Sequence, residues 1–488
     1  MASVLLTFLV ILLAFPNIHS LKVTPRLQSN PCKPEQIHLA LSDSYTPNPA
    51  SSSPIKAIFH TQEPCDSAYI SLETLSGFEK IIATSVNYFE DTYSDKLYST
   101  YVHIFDFPAL EPGQVYEYTC HSDANDTHSP QGPFNFYVPN PQFDGQSTSV
   151  IMFGDLDNSA DGQSTMTSLN GIKDTNFTSV AAYIHMGDIA YDLEGKGGKR
   201  GDDFMNAIQT FAASIPYMIS PGNHETYNNF SNVNMRFKMP LFSETQNHYY
   251  SYNIGNMHFA TINLDLVILY PELMQYMADW LANDLEQANL NRNERPWIIV
   301  YTHRPLYCSK PGNDDCDNNA ARYKVIEDII NKYKVDLYVS GHVHAYERML
   351  PVYRGNVSNF QHDANDKHFR KIYNAQAPVY LMHGKAGHDG DKDDSKPYDP
   401  KPYSVTVDTK YSYMAVHSLN NTHLHVENIG SDKQKILDEF YLIKDCESFA
   451  HLPFYKEEFE VEEIDIEVEI FVNGFLPIKK QKRKQQFK

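Results

Sequence analysis

Basic residues are scarce in this 488-residue chain: 40 Lys and Arg stand against 61 Asp and Glu, for a formal net charge of −21. Phosphate backbones are bound by Lys and Arg, so the balance argues against nucleic acid as the main partner, although not against a small phosphorylated substrate. Cysteine is also sparse, at six residues, none in Cys-x-x-Cys spacing, which removes zinc-finger and thioredoxin readings. There are only two Trp but 33 Tyr and 27 Phe, a bias that suits half-buried strands. Long hydrophobic runs are missing. The longest, Val4–Phe15, falls short of the roughly 20 residues that cross a bilayer, so no membrane span is expected. With hydrophobics at 42% and charged residues at 21%, the chain is ordinary globular material, long enough for two domains plus tails.

Val4–Phe15 fits the core of a secretory signal peptide, 1–20, cleaved after Ser20. A secreted, extracellular or other secretory-lumen protein is therefore expected. Five Asn-x-Ser/Thr tripeptides, at Asn125, Asn176, Asn229, Asn356 and Asn420, agree with glycosylation there. Among the cysteines, proximity suggests only a Cys308–Cys316 disulfide; the remaining connectivity stays open. Residues 446–488 read as a solvated, disordered tail, acidic over 456–470 and basic over 479–484.

Residues 21–140 carry short strands at Gln36–Leu41, Ile55–His60, Ala68–Leu72, Thr100–Phe105, Val115–Cys120 and Phe134–Val138, separated by turn-forming clusters. That spacing predicts an all-β sandwich of about 100 residues. A Pro- and Ser-containing linker, 139–149, follows. From 147 to 445 the pattern becomes α/β: apolar runs alternate with candidate helices near 202–213, 271–288 and 320–333. In the second helix, Leu273, Tyr276, Met277, Trp280, Leu281 and Leu285 fall at helical spacing.

Five of the apolar runs end in polar strings. Val150–Phe153 leads into Gly154-Asp155, Ala181–Met186 into Gly187-Asp188-Ile189-Ala190-Tyr191, and Ile215–Ile219 into Gly222-Asn223-His224-Glu225. Trp297–Tyr301 leads into Thr302-His303-Arg304, and Leu337–Val339 into Gly341-His342-Val343-His344. Sites in α/β sheets form at the carboxyl ends of strands. Carboxylate, amide and phenol oxygens with imidazole nitrogens suit hard to borderline metals. They are too many for one ion and enough for two, and two ions about 3.5–4 Å apart clamp both oxygens of a phosphoryl displacement.

These motifs resemble the metallophosphoesterase superfamily, and specifically the purple acid phosphatases. The Asp-x-His that usually opens the superfamily's motif series is absent, while Tyr191 matches the purple group's tyrosinate. The resemblance covers about 33–445. It implies a multidomain chain with a fibronectin-III-like N-terminal sandwich and an αββα catalytic domain, in the long, plant-type architecture. Thr302–Cys308 and Asp314-Asp315-Cys316 look like the animal branch. By motif, Fe(III) would be held by Asp155, Asp188, Tyr191 and His344. A divalent ion (Zn, Fe or Mn) would be held by Asp188, Asn223, His303 and His342, with Asp188 bridging. His224 would contact the phosphate or leaving oxygen. The implied reaction is acid hydrolysis of phosphate monoesters by a metal-bound hydroxide. A phosphodiesterase or nucleotide pyrophosphatase, or a non-catalytic binding protein, are the alternatives. Two departures stand out. The family's Gly-Asp-x-Gly becomes Gly154-Asp155-Leu156-Asp157; if that position needs φ > 0 or a close approach to a ligand, Asp157 adds strain and negative charge, although Asp tolerates a left-handed backbone better than most residues. Plant members carry further substrate-touching histidines after the His303 motif; Cys308–Ala320 holds none, so leaving-group protonation is unassigned.

Overall fold

The computed structural model describes residues 30–445, apart from 47–52, 66, 75–76, 94–95, 123–129, 311–313 and 389–397. The signal segment, Asn125 and the tail therefore lie outside the described residues. Within them no helix is long and apolar enough to cross a membrane.

The N-terminal region is two four-stranded antiparallel sheets sharing one apolar core. All six expected strands are present, with ends shifted by a few residues. Two further strands, Gly77–Ile82 and Ser85–Tyr93, went unpredicted because much of both is exposed, which erases the two-residue alternation that marks a half-buried strand. A Cys32–Cys65 disulfide ties the start of this region to the turn after its second strand. Phe107, Tyr118 and Phe136 pack against one another in that core, the Phe107 ring stacked 5.0 Å from Phe136.

Two larger sheets follow, and five of their strands carry the site. We label these β1 (Thr148–Phe153), β2 (Val180–Met186), β3 (Tyr217–Ser220), β4 (Trp297–Thr302) and β5 (Leu337–Ser340). In the seven-stranded sheet β3, β2 and β1 are parallel neighbours, and β1 then pairs antiparallel with Ser412–Ser418. In the eight-stranded sheet β4 lies parallel between Met257–Ile262 and β5, which in turn pairs parallel with Val379–His383.

The pleat sorts side chains into layers. Trp297, Ile299 and Tyr301 of β4 join Leu337 and Val339 of β5 in the main core, which also holds Met414 and Val416 of the other sheet. Ile298, Val300 and Tyr338 point the opposite way, into a second core under helices Met274–Leu290 and Lys324–Lys332. Strands buried on both faces appear in the sequence as near-continuous apolar runs for this reason.

The expected helices need three corrections. Residues 320–333 are the end of one helix, Asp314–Arg322, and a second, Lys324–Lys332. Leu273 belongs to a preceding 3₁₀ turn and Tyr276 is exposed, so the buried face of Met274–Leu290 is the narrower set including Met277, Leu281 and Leu285. Gln163–Asn176 is a helix that went unpredicted, since Ser, Thr and Asn supply most of its surface.

The sandwich is bound to the two larger sheets' region through a buried polar network. Arg236, wholly buried, contacts Asp202 at 3.0 Å, Tyr98 at 3.1 Å and Gln36; Gln36 Nε2 also donates to Asp202 at 2.8 Å. The Cys308–Cys316 disulfide is present, and Cys120 is a buried thiol. The described sequon residues Asn176, Asn229, Asn356 and Asn420 are all exposed.

Candidate metal centre

The carboxyl ends of β1–β3 and of β4–β5 meet. A Cβ added to Gly154 would lie 3.0 Å from the Cα of Gly341, and the Gly341 N–H donates to the His303 carbonyl at 2.9 Å. All seven residues marked as ligands gather at this seam, in two touching groups.

In the first group the Tyr191 hydroxyl donates to Asp155 Oδ1 at 3.1 Å and lies 2.8 Å from His344 Nε2, which is 3.2 Å from the same carboxylate oxygen. In the second, His303 Nε2 lies 3.2 Å from Asp188 Oδ1, 3.0 Å from Asn223 Oδ1 and 3.1 Å from His342 Nδ1. The groups are joined by the His342 N–H, which donates to Asp155 Oδ2 at 2.8 Å.

The chain shapes itself around these donors. Asp155, Asp188, Tyr191 and His342 all have φ between 49° and 72°, a left-handed region that non-glycine residues seldom occupy. Such conformations cluster at functional sites, where the surrounding structure over-determines them. Gly187 is itself left-handed, and a Cβ there would sit 2.4 Å from His303 Nδ1. At Gly222 it would sit 2.5 Å from Asp188 Oδ1. Glu225, buried, accepts N–H groups from Gly222, Asp188 and Ile189 at 2.7–2.9 Å, clamping the loops after β2 and β3 together.

Both histidines of the second group have one nitrogen held outside it. His303 Nδ1 faces the Met186 carbonyl at 2.8 Å, leaving Nε2 inward. His342 Nε2 faces Asp315 Oδ2 at 2.6 Å, leaving Nδ1 inward. Metal-ligating histidines almost always have their second nitrogen fixed by a carbonyl or carboxylate in this way. Asp315 is fixed in turn by Arg304 at 2.8 Å, and Arg304 by Asp265 at 2.6 Å. The residue after Asp315, Cys316, is tied by its disulfide to Cys308, in the loop that follows His303.

The electrostatics favour cations. Burial alone raises a carboxyl group, yet the His344 hydrogen bond and the His303 charge hold Asp155 below its usual value; His303 does the same for Asp188. Burial lowers His303, but Asp188 and Asp155 more than reverse this and lift it to about 10. Buried ionised carboxylates that draw positive charge onto a neighbouring imidazole, beside oriented nitrogens, are a donor set that fits two metal ions.

His224 sits at the rim, its Nδ1 2.7 Å from Asp192 Oδ1 and its Nε2 3.9 Å from Asp188 Oδ2. Burial opposes its protonation, but the Asp192 hydrogen bond and Asp188 raise it to about 9. His388 went unmarked in the sequence; its ring stacks on Tyr191 at 3.4 Å. It follows the apolar strand Val379–His383 and a glycine, the same sign that marked the other loops. The condition for strain at Asp157 is not met. The residue is not among the left-handed ones, and its buried carboxylate lies 3.3 Å from Arg200 and accepts the Ser159 N–H at 2.9 Å.

Two stacked sheets with such a seam define a metallophosphoesterase. The calcineurin-like phosphoesterase family model matches residues 124–346, and the model described as iron/zinc purple acid phosphatase-like protein C matches 377–439. The zebrafish (Danio rerio) protein named acid phosphatase type 7 is 34% identical over 71% of this chain and 78% of its own; the human protein of that name is 33% identical over 70% and 77%. The chain belongs to the purple acid phosphatase family and is a hydrolase with phosphoesterase activity. Its fold matches that of a purple acid phosphatase from yellow lupin (Lupinus luteus) seeds, with a TM-score of 0.68 at 20% identity over 87% of this chain and 76% of that one. Membership implies a binuclear metal centre containing iron.

Proposed function

We propose that the protein is a secreted acid phosphatase that hydrolyses phosphate monoesters of small molecules. Asp155, Asp188, Tyr191 and His344 would hold Fe(III); Asp188, Asn223, His303 and His342 would hold a divalent ion, Zn, Fe or Mn. The observation that carries this reading is the pair of donor groups meeting across the sheet seam, with His303 and His342 each locked in a ligating orientation.

When bound, the two ions supply an ionised water nucleophile and offset charge on the phosphoryl oxygens. The residues supply position. Glu225 and the glycines fix the loops. Asp192 holds His224 by Nδ1, so that its Nε2 can donate to a phosphoryl or leaving oxygen. Arg200 lies beside Asp157, which supports turnover over a scaffold that has lost it. We read the N-terminal sheets as a fibronectin-III-like domain and the four exposed sequons as glycosylation sites of a secreted chain.

The test is metal content together with hydrolysis of a chromogenic phosphomonoester, a diester and a dinucleotide. Wild type should hold two ions and prefer the monoester, and His303→Ala should lose at least 100-fold in rate. Equal monoester rates in the two proteins would refute the catalytic role, and a preferred diester would reassign the substrate.

A further inference from the structure

The seven-stranded sheet carries a second cluster of ligating groups, at the amino end of β1, about 20 Å along the strand from Asp155 at some 3.3 Å per residue. Ser149 of β1, His417 of Ser412–Ser418, His425 and Glu427 of His423–Gly430, and Glu439 of Lys435–Ile443 share the outer face of four adjacent strands. Their inward-facing neighbours Val416, Leu424, Val426 and Phe440 are in the core, so the cluster is half-buried and open to solvent.

We propose that this face holds a Zn²⁺ ion through His417, His425, Glu427 and Glu439, separate from the catalytic pair. One ligand atom each from His417, His425 and Glu427 lie within 4.8 Å of one another. His417 Nε2 is 3.0 Å from Glu427 Oε2, and His425 Nε2 is 3.4 Å from Glu439 Oε2. Tetrahedral ligands at 2.0–2.1 Å from zinc stand roughly 3.3 Å apart, so both pairs already have the length of a coordination edge.

The pairing across strands adds a second argument. His417 stands directly opposite His425, and Glu427 directly opposite Glu439. Like charges placed directly opposite each other destabilise a sheet. A cation shared by all four removes the repulsion between the carboxylates and engages both imidazoles.

The imidazoles are also posed for it. His417 Nδ1 lies 2.7 Å from Ser149 Oγ, which leaves Nε2 facing the carboxylates. The His425 ring stacks on Tyr441 at 4.2 Å, and its Nε2 is shielded from solvent without a hydrogen bond. Imidazole and carboxylate together suit zinc better than calcium or magnesium.

The experiment is Zn²⁺ binding by equilibrium dialysis to the full protein with its catalytic centre already filled, comparing wild type with His417→Gln/His425→Gln. Wild type should take up one further equivalent, the variant should bind it at least tenfold more weakly, and phosphatase rates should match. Glu439→Gln, which keeps both histidines, should weaken binding about tenfold and covers the case in which the double variant misfolds. Co²⁺ in place of Zn²⁺ should give the intense visible bands of a tetrahedral site in wild type only. Equal zinc uptake by wild type and variants, or none by wild type, overturns the proposal.

Discussion

Asp315 and the Met186 carbonyl determine which nitrogen His342 and His303 turn toward the seam. Removing such a partner from a ligating histidine typically weakens metal binding roughly 10- to 100-fold. Asp315→Asn is therefore expected to weaken the divalent ion by that amount, with activity recovering as that metal is added in excess. Loss of activity that added metal does not restore would place Asp315 in the chemistry instead. At this scale the ligands were legible because each follows an apolar run and a turn. Their supporting partners were not. Glu225 sits inside a recognised motif, but its bonds to Gly222, Asp188 and Ile189 depend on two loops 36 residues apart closing together. Asp192 reaches His224, and His388 reaches Tyr191, only once the loops are folded.

Strand ends do most of the positioning. Gly187 combines a left-handed backbone with a close approach to His303, so neither its conformation nor its space tolerates a side chain. Gly187→Ala is expected to displace His303 and lower both metal content and rate by at least tenfold, with the far-UV spectrum retained. An unchanged metal content would mean that the loop yields. The strands leading to these turns were legible because both faces are buried. Exposed elements were not: Gly77–Ile82 buries only Ile81, and Gln163–Asn176 buries Met166 and Leu169 among polar residues, so neither shows a period. The boundary between Asp314–Arg322 and Lys324–Lys332 was hidden because Ala320, Ala321, Arg322 and Lys324 are helix formers and no Gly or Pro marks the break at Tyr323.

Across the whole molecule, the net charge of −21 is offset locally where cations are needed, by the Arg236 network between the regions and by Arg200 beside Asp157. Neutral histidines are also packed throughout: burial lowers His38, His103, His248 and His383 to about 4 each. Unfolded histidine titrates near 6.5. Because the folded values are lower, the unfolded chain takes up more protons on acidification. The contribution of these residues to stability is complete above about pH 6.5 and is lost as pH falls toward 4. The melting temperature, at fixed metal loading, should decline across that window. A flat profile from pH 6.5 to 4 would contradict this account of the core.

The visible absorption spectrum of the purified protein tests the central claim most directly. If Fe(III) is held at the Asp155–His344 group as proposed, the Tyr191 phenolate would give a charge-transfer band and a purple colour. Wild type should show it, and Tyr191→Phe should lose it while keeping its fold. A colourless iron-loaded wild type, or a band that survives Tyr191→Phe, would contradict the assignment.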